Sequence, residues 1–323
     1  MRRARRIAAG LLCLLAGACA PRLMPPGPGA PPDTPAPALQ RNVFRTADGI
    51  PLFLRHWQAQ GEEKAVVLAL HGFNDHSGAF AGGPEVIGVG PFLADRGITV
   101  YAPDLRGFGT SPNAGLWPGV EALTRDLADL SWLIAARHPQ SPLVLLGTSM
   151  GGATVLAALA DPHPPPADKV VLIAPALRAR STLPPGLAIG LFLVAHSVPW
   201  YSATGEGLDI RPSDNLPMLR AMGRDPLVLK ETRMDALWGL VNLMDAAFKS
   251  PPHLKGLPLL IAYGSHDDLV PEQPLRLFAS RLPDPDIQTV RTYPGGWHML
   301  LRDLNAEIPL ADIATWITAG EVP

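Results

Sequence analysis

With 323 residues, 47% of them hydrophobic and 17% charged, the chain can bury a large core as one α/β domain or two small ones. Formal net charge is -2; setting aside Arg2, Arg3, Arg5 and Arg6, 23 basic residues face 29 acidic ones with no basic tract or aromatic-interleaved patch, which argues against nucleic acid as a partner. The two cysteines, Cys13 and Cys19, both fall in the first twenty residues, so the rest of the chain contains no disulfide.

The N-terminal arginines run into the apolar stretch Ile7 to Leu15 and then into AGACA, residues 16–20, small side chains around Cys19, the layout of a secretory leader. Such a run is too short to span a bilayer. The segment resembles bacterial lipoprotein leaders, in which the cysteine after a small-residue motif is lipid-modified and becomes the mature N-terminus. That resemblance implies a signal peptide over residues 1–19 ending at a lipidated Cys19, and a lipid-anchored envelope protein facing the periplasm. Leu15 stands one position further from the cysteine than the leucine usual in such leaders, so plain cleaved secretion and an uncleaved anchor stay open. Residues 20–40 carry eight prolines and little that could pack, and read as a linker. As extended polyproline II, roughly 20 residues could hold a domain up to about 60 Å from a membrane.

From residue 41 onward, apolar runs alternate with helix-like stretches. IPLFLRHW (50–57), KAVVLALHG (64–72), GITVYAPD (97–104), PLVLLGTS (142–149), KVVLIAPAL (169–177) and LPLLIAYG (257–264) read as strands, several with the continuous apolar character of strands buried on both faces. Between them lie helical patterns such as residues 120–138, with Leu123, Leu127, Leu130 and Ile134 at helical spacing. The alternation predicts a mostly parallel sheet covered by helices on both faces. It breaks between about residues 178 and 255, where the apolar run 187–198 and a helical pattern over 227–248 predict a helical cap inserted between two strands of the sheet.

In LLGTSMGG (145–152) an apolar strand runs into a serine flanked by Gly147 and Gly151, with a helix-forming stretch behind it. Glycines two residues to either side allow the sharp strand-to-helix turn that leaves Ser149 exposed at the sheet edge as a nucleophile. A serine hydroxyl needs a base to take its proton and a carboxylate to orient that base. In such elbows the chain order is serine, acid, histidine, which leaves His163, His196, His253, His266 and His298 as bases. His298, in YPGGWHMLLRD (293–303), lies where a strand ends in glycines and a helix is expected to begin, again at the sheet edge. The acid comes from YGSHDDLVP (263–271), after another strand: Asp267 first, Asp268 second, since adjacent side chains diverge and one of them is left to solvent or to capping the next helix. For the oxyanion, the backbone N–H of Met150 and that of Phe73, in LALHGFNDHSGAF (68–80), are the candidate donors, although HGF also reads as an ordinary strand-ending turn.

HGFNDHSGAF, YAPDLRGFGTS, GTSMGG, GSHDDLVP and GWHMLLRD together resemble the monoacylglycerol lipase and lysophospholipase branch of the α/β-hydrolases, also described as serine aminopeptidase-like hydrolases. The resemblance covers roughly residues 42–318. It implies the α/β-hydrolase fold, with Ser149 as nucleophile, Asp267 as acid, His298 as base, and Phe73 and Met150 as oxyanion amides. Asp104 and Arg106, in PDLRGFG (103–109), are implied to support the loops around the site. The implied activity is hydrolysis of carboxylic esters of one fatty acyl chain, monoacylglycerols or lysophospholipids, through an acyl-enzyme and without metal or cofactor. Acyl transfer or N-terminal peptide hydrolysis on the same triad is the alternative, and a membrane-tethered lipid-binding protein without turnover is the non-catalytic one.

Overall fold

The computed structural model of the chain describes residues 20–30, 34–83, 85–205, 207 and 210–320. The leader expected over residues 1–19, with its candidate lipidation site Cys19, lies outside the described residues.

Strands β1 (Ala38–Gln40), β2 (Val43–Arg45) and β3 (Pro51–Trp57) form an antiparallel meander. Strand β4 (Ala65–Leu70) lies parallel to β5 (Ile98–Pro103), which pairs antiparallel with β3. Strands β6 (Leu143–Thr148), β7 (Lys169–Ile173), β10 (Leu259–Gly264) and β11 (Gln288–Tyr293) extend the parallel part into one nine-stranded sheet of order β1-β2-β3-β5-β4-β6-β7-β10-β11.

All residues of β4, β5 and β10 are buried. Their alternation divides two cores. Val66, Leu68 and Leu70 join Leu145 and Leu172 beneath α2 (Val120–Arg137) and α3 (Met150–Leu159). Val67, Val100 and Val144 face the other way, toward α1 (Val89–Ala94) and α8 (Glu307–Ala319), while α7 (Glu272–Ala279) joins β10 to β11. Each such buried Val or Leu contributes about 1.5–3 kcal/mol relative to exposure, so a central strand has no face that can tolerate charge. Strand β4 is also where the winding reverses, with β5 on one side and β6 on the other, and crevices that bind ligands open outside the carboxyl ends at such a point. Leu70 pairs with Gly147, which brings the ends of β4 and β6 level.

The expected cap leaves the sheet after β7 and returns before β10. It comprises α4 (Pro185–Ser197), a hairpin of β8 (Ser202–Thr204) and β9 (Glu231–Arg233), α5 (Leu216–Arg224), and α6 (Met234–Phe248), which packs on α3 and α4. The helix expected over 227–248 therefore starts only at Met234. Tertiary hydrogen bonds set that start: the N–H groups of Met234 and Asp235 donate to the carbonyls of Tyr201 and Pro199, and Arg233 pairs with Asp235 at 2.6 Å.

The expectation of a free linker over 20–40 needs correction. Met24 is buried and its N–H donates to the Trp117 carbonyl at 2.7 Å, Gly27 N–H donates to Asp48 Oδ2 at 2.7 Å, and residues 38–40 are β1 itself. Proline removes eight backbone donors from this segment, and among those that remain the N–H groups of Met24, Gly27 and Gly29 find acceptors on Trp117 and Asp48 of the domain.

Arg106 ties these parts together. Its guanidinium forks onto Asp126 of α2 at 2.7 and 2.8 Å and onto Asp48 of the β2–β3 turn at 2.7 and 2.8 Å. Burial pushes the Asp126 carboxyl up to about 6, against the pull of Arg106, and the same guanidinium holds Asp48 well below the usual carboxylate range. Removing one partner of a buried pair strands the other charge. Arg106→Met is expected to lower stability by about 3–5 kcal/mol in urea unfolding, and adding Asp126→Asn to recover part of that loss, because the stranded carboxylate is gone.

Candidate active site

The turn from β6 into α3 puts Ser149 at φ 50° and ψ -113°, a left-handed conformation that costs a non-glycine residue about 1–3 kcal/mol. It is held by the Ser149 N–H donating to the Ile173 carbonyl at 2.9 Å and by the Ala176 N–H donating to the Ser149 carbonyl at 3.0 Å. The flanking glycines are required by close approach. A Cβ on Gly151 would collide with the Leu70 carbonyl at the end of β4, and one on Gly147 with the backbone of Gly151 and Gly152. Met150 is the first residue of α3, whose initial N–H groups have no intrahelical partner.

Of the five histidines that follow the serine, His298 alone meets a candidate acid. Its Nδ1 lies 2.8 Å from Asp267 Oδ2, and Asp267 Oδ1 accepts from the N–H groups of Leu269 and Val270 at 2.9 Å each. Asp267 is buried and Asp268 is exposed. His163, His253 and His266 are exposed, and His196 stacks on Phe192 in the cap. The helix expected near His298 is absent: a 3-10 turn, Leu300–Arg302, follows, and α8 begins only at Glu307.

Phe73 follows β4 in a loop whose other members are strongly constrained. His71 is fully buried, with Nδ1 2.8 Å from the Gly72 carbonyl and Nε2 accepting from the Leu105 N–H at 2.9 Å. Burial holds its pKa below the ordinary histidine value, so it serves as a neutral brace. Asp104 accepts from the N–H and hydroxyl of both Ser77 and Thr110. Burial would raise its pKa, and these hydrogen bonds outweigh it, leaving the carboxyl below its usual range.

Several supports were not singled out in the sequence because they cross long separations. Asn74, itself left-handed at φ 62°, donates from Nδ2 to Thr232 Oγ1 at 2.7 Å, and its carbonyl accepts from the Leu229 N–H at 2.9 Å. His76 Nε2 lies 3.0 Å from Asp225 Oδ2. All three partners belong to the cap. The cap grips the His298 loop as well: Met299 N–H donates to the Pro212 carbonyl, and Asp303 accepts from Ser213 Oγ at 2.6 Å and from the Trp297 N–H at 2.8 Å. Burial pushes the Asp303 carboxyl up, against these bonds.

Ser149, His298 and Phe73 line one cavity of about 440 Å³, together with apolar residues that include Phe80, Ile173, Leu240 and Met244. The Ser149 side chain, the His298 imidazole with its buried carboxylate partner and the N-terminus of α3 thus lie together where the sheet reverses its winding, an arrangement suited to acyl transfer.

A family model described as "Serine aminopeptidase, S33" matches residues 61–305. The monoacylglycerol lipase of Mycolicibacterium smegmatis is 26% identical over 287 residues, which cover 85% of this chain and 96% of that protein. The monoglyceride lipase of Rattus norvegicus is 27% identical over 277 residues, 84% of this chain and 88% of that one. Among solved structures, the monoacylglycerol lipase of Paleococcus ferrophilus superposes with a TM-score of 0.67 at 23% identity, covering 84% of this chain and 99% of that one. A soluble variant of the Saccharomyces cerevisiae monoglyceride lipase gives 0.68 at 19%, covering 93% and 100%.

Because cap residues hold the loop that carries Phe73, the candidate oxyanion donor, loosening them is expected to act on the chemical step. Thr232→Val and Asn74→Gly are each expected to lower kcat for a p-nitrophenyl ester by about tenfold or more, with a smaller change in KM, in steady-state assays.

Proposed function

The chain belongs to the serine aminopeptidase S33 family and is a carboxylic ester hydrolase of the α/β type, and on that premise we propose that it cleaves single-acyl esters, monoacylglycerols or lysophospholipids, with Ser149 as nucleophile. The observation that carries the reading is the 2.8 Å contact between His298 and the buried Asp267, at the wall of the cavity that Ser149 also lines. Ser149 Oγ attacks the ester carbonyl while His298 Nε2 takes its proton, and the same imidazole returns that proton to the leaving alcohol. Asp267 keeps hydrogen on Nδ1 and stabilises the imidazolium, and its two backbone hydrogen bonds fix its orientation. The amides of Phe73 and Met150 meet the oxyanion. Water then hydrolyses the acyl-enzyme by the same steps.

Two features favour a lipid ester over an N-terminal peptide. Among the described residues lining the cavity, Asp75 is the only carboxylate, and it is engaged by Arg302 at 3.0 Å and by the His76 N–H, so no free carboxylate awaits an α-ammonium group. Leu187, Ile189, Phe192 and Leu193 of α4, with Trp200 and Tyr201, leave an apolar face exposed on the cap, the kind of surface that meets a lipid aggregate. Lipidation at Cys19 would hold that face near an envelope membrane, with the docked segment 20–30 shortening the tether.

A fluorophosphonate probe is expected to label Ser149 and no residue in Ser149→Ala. Turnover of monooleoylglycerol should fall by about a thousandfold or more in Asp267→Asn, and by less than about threefold in Asp268→Asn. Equal losses in the two would overturn the assignment of the acid. Cys19→Ala is expected to move the protein from the membrane to the soluble fraction, read by fractionation and immunoblot.

A further inference from the structure

The cavity at Ser149 is walled mostly by apolar side chains, yet Asp75, Arg178 and Arg302 also line it. Asp75 and Arg302 neutralise each other at 3.0 Å, and Arg302 is occupied further by the Ala79 carbonyl and Met222 Sδ, each at 3.4 Å. Arg178 differs. Among the described residues its side chain has no hydrogen-bond or ion-pair partner, although it is partly buried. Two residues on, Arg180 is held by Asp245 and Asn242 of α6. Among the described residues lining the cavity, Arg178 is thus the cation left without a partner.

The backbone around Arg178 is tightly placed. The chain leaves β7 through Ala174 at φ 42°, Ala176 N–H binds the Ser149 carbonyl at 3.0 Å, and Leu177 and Ala179 on either side of Arg178 are buried. Arg178 thus sits two residues from a direct contact with the nucleophile's own backbone, on a cavity wall shared with Leu240 and Met244 of α6. A guanidinium that loses water without gaining a partner is destabilised, and its planar fork matches a carboxylate or phosphate in a bidentate pair.

We propose that Arg178 is a specificity-determining residue, selecting single-acyl esters that bear an anionic group, phosphate or carboxylate, within reach of Ser149. The inference rests on the ester-hydrolase reading above and narrows its substrate class to those single-acyl esters that carry a negative group. The anion has two possible sources: the leaving alcohol, as in a lysophosphatidate, or the far end of the acyl chain, as in a half-ester of a dicarboxylic acid.

The test uses the full chain with three substrates in neutral detergent: 1-oleoylglycerol, 1-oleoylglycerol 3-phosphate and the glycerol monoester of sebacic acid. In Arg178→Gln the ratio of kcat/KM for an anionic ester to that for oleoylglycerol should fall about tenfold or more, and Arg178→Lys should restore part of it. The anionic ester whose ratio falls identifies which end carries the charge. Arg220→Gln, an exposed cap arginine outside the cavity, should move the ratio less than about twofold, which separates local pairing from long-range attraction. A ratio unchanged in Arg178→Gln, or one that moves equally in Arg220→Gln, overturns the proposal. Binding of the same lipids to Ser149→Ala, by calorimetry, reads the site without turnover. An anionic lipid that binds Ser149→Ala more tightly than oleoylglycerol, and loses that preference when Arg178→Gln is added, supports the proposal even if no ester is cleaved, in which case the hydrolase reading fails alone. Equal binding of anionic and neutral lipids overturns the proposal whatever the turnover.

Discussion

The strained backbone of Ser149 depends on how closely β4, β6 and α3 approach one another. The turn can stay at φ 50° only because the positions two residues before and after carry no Cβ, letting α3 start against the end of β4. A cost of about 1–3 kcal/mol at one residue is small beside the burial of the strands on both faces, and two backbone hydrogen bonds to Ser149 remove any gentler alternative. The placement of the Ser149 side chain on the cavity wall is thus a product of sheet packing, with the helix N-terminus delivered to the same place.

The loops at this edge are held by two separate systems. On the sheet side, buried polar groups do the holding: neutral His71 bridges the Gly72 carbonyl and the Leu105 N–H, Asp104 gathers four donors, and Arg106 joins α2, the β2–β3 turn and, through Asp48, the N-terminal segment. On the solvent side the cap takes over, reaching Asn74 and His76 of one loop and Met299 and Asp303 of the other. A cap bonded to both loops does more than roof the cavity. Its position and the geometry of the amide at Phe73 and the imidazole at His298 are coupled through hydrogen bonds of ordinary length, so any motion of the cap also acts on both loops.

Charge in the cavity follows a simple pattern. Acidic groups near it are consumed by partners, Asp75 by Arg302 and Asp267 by His298 and two backbone amides, while Arg178 is left over. An apolar wall on which Arg178 is left without a partner among the described residues is the basis of the proposed preference for an amphiphile with an acyl chain and a negative group.

The sequence by itself determined the parallel sheet, because continuous apolar runs such as Ala65–Leu70 can be satisfied only by cover on both faces, and it determined the elbow, because paired glycines around Ser149 report a local steric demand. The sequence ranked Asp267 ahead of Asp268, but the physical difference between the two adjacent carboxylates is tertiary: one is buried against His298 and the other is turned to water. The start of α6, the docking of the proline-rich segment and the 3-10 turn after His298 were misjudged from local pattern. Each is fixed by hydrogen bonds to distant chain, Tyr201 and Pro199 for the first, Trp117 and Asp48 for the second, Pro212 and the cap for the third. Contacts across such separations leave no periodicity in a sequence. Asn74 with Thr232, and Arg178 without a partner among the described residues, became visible only when tertiary packing decided which polar groups met and which did not.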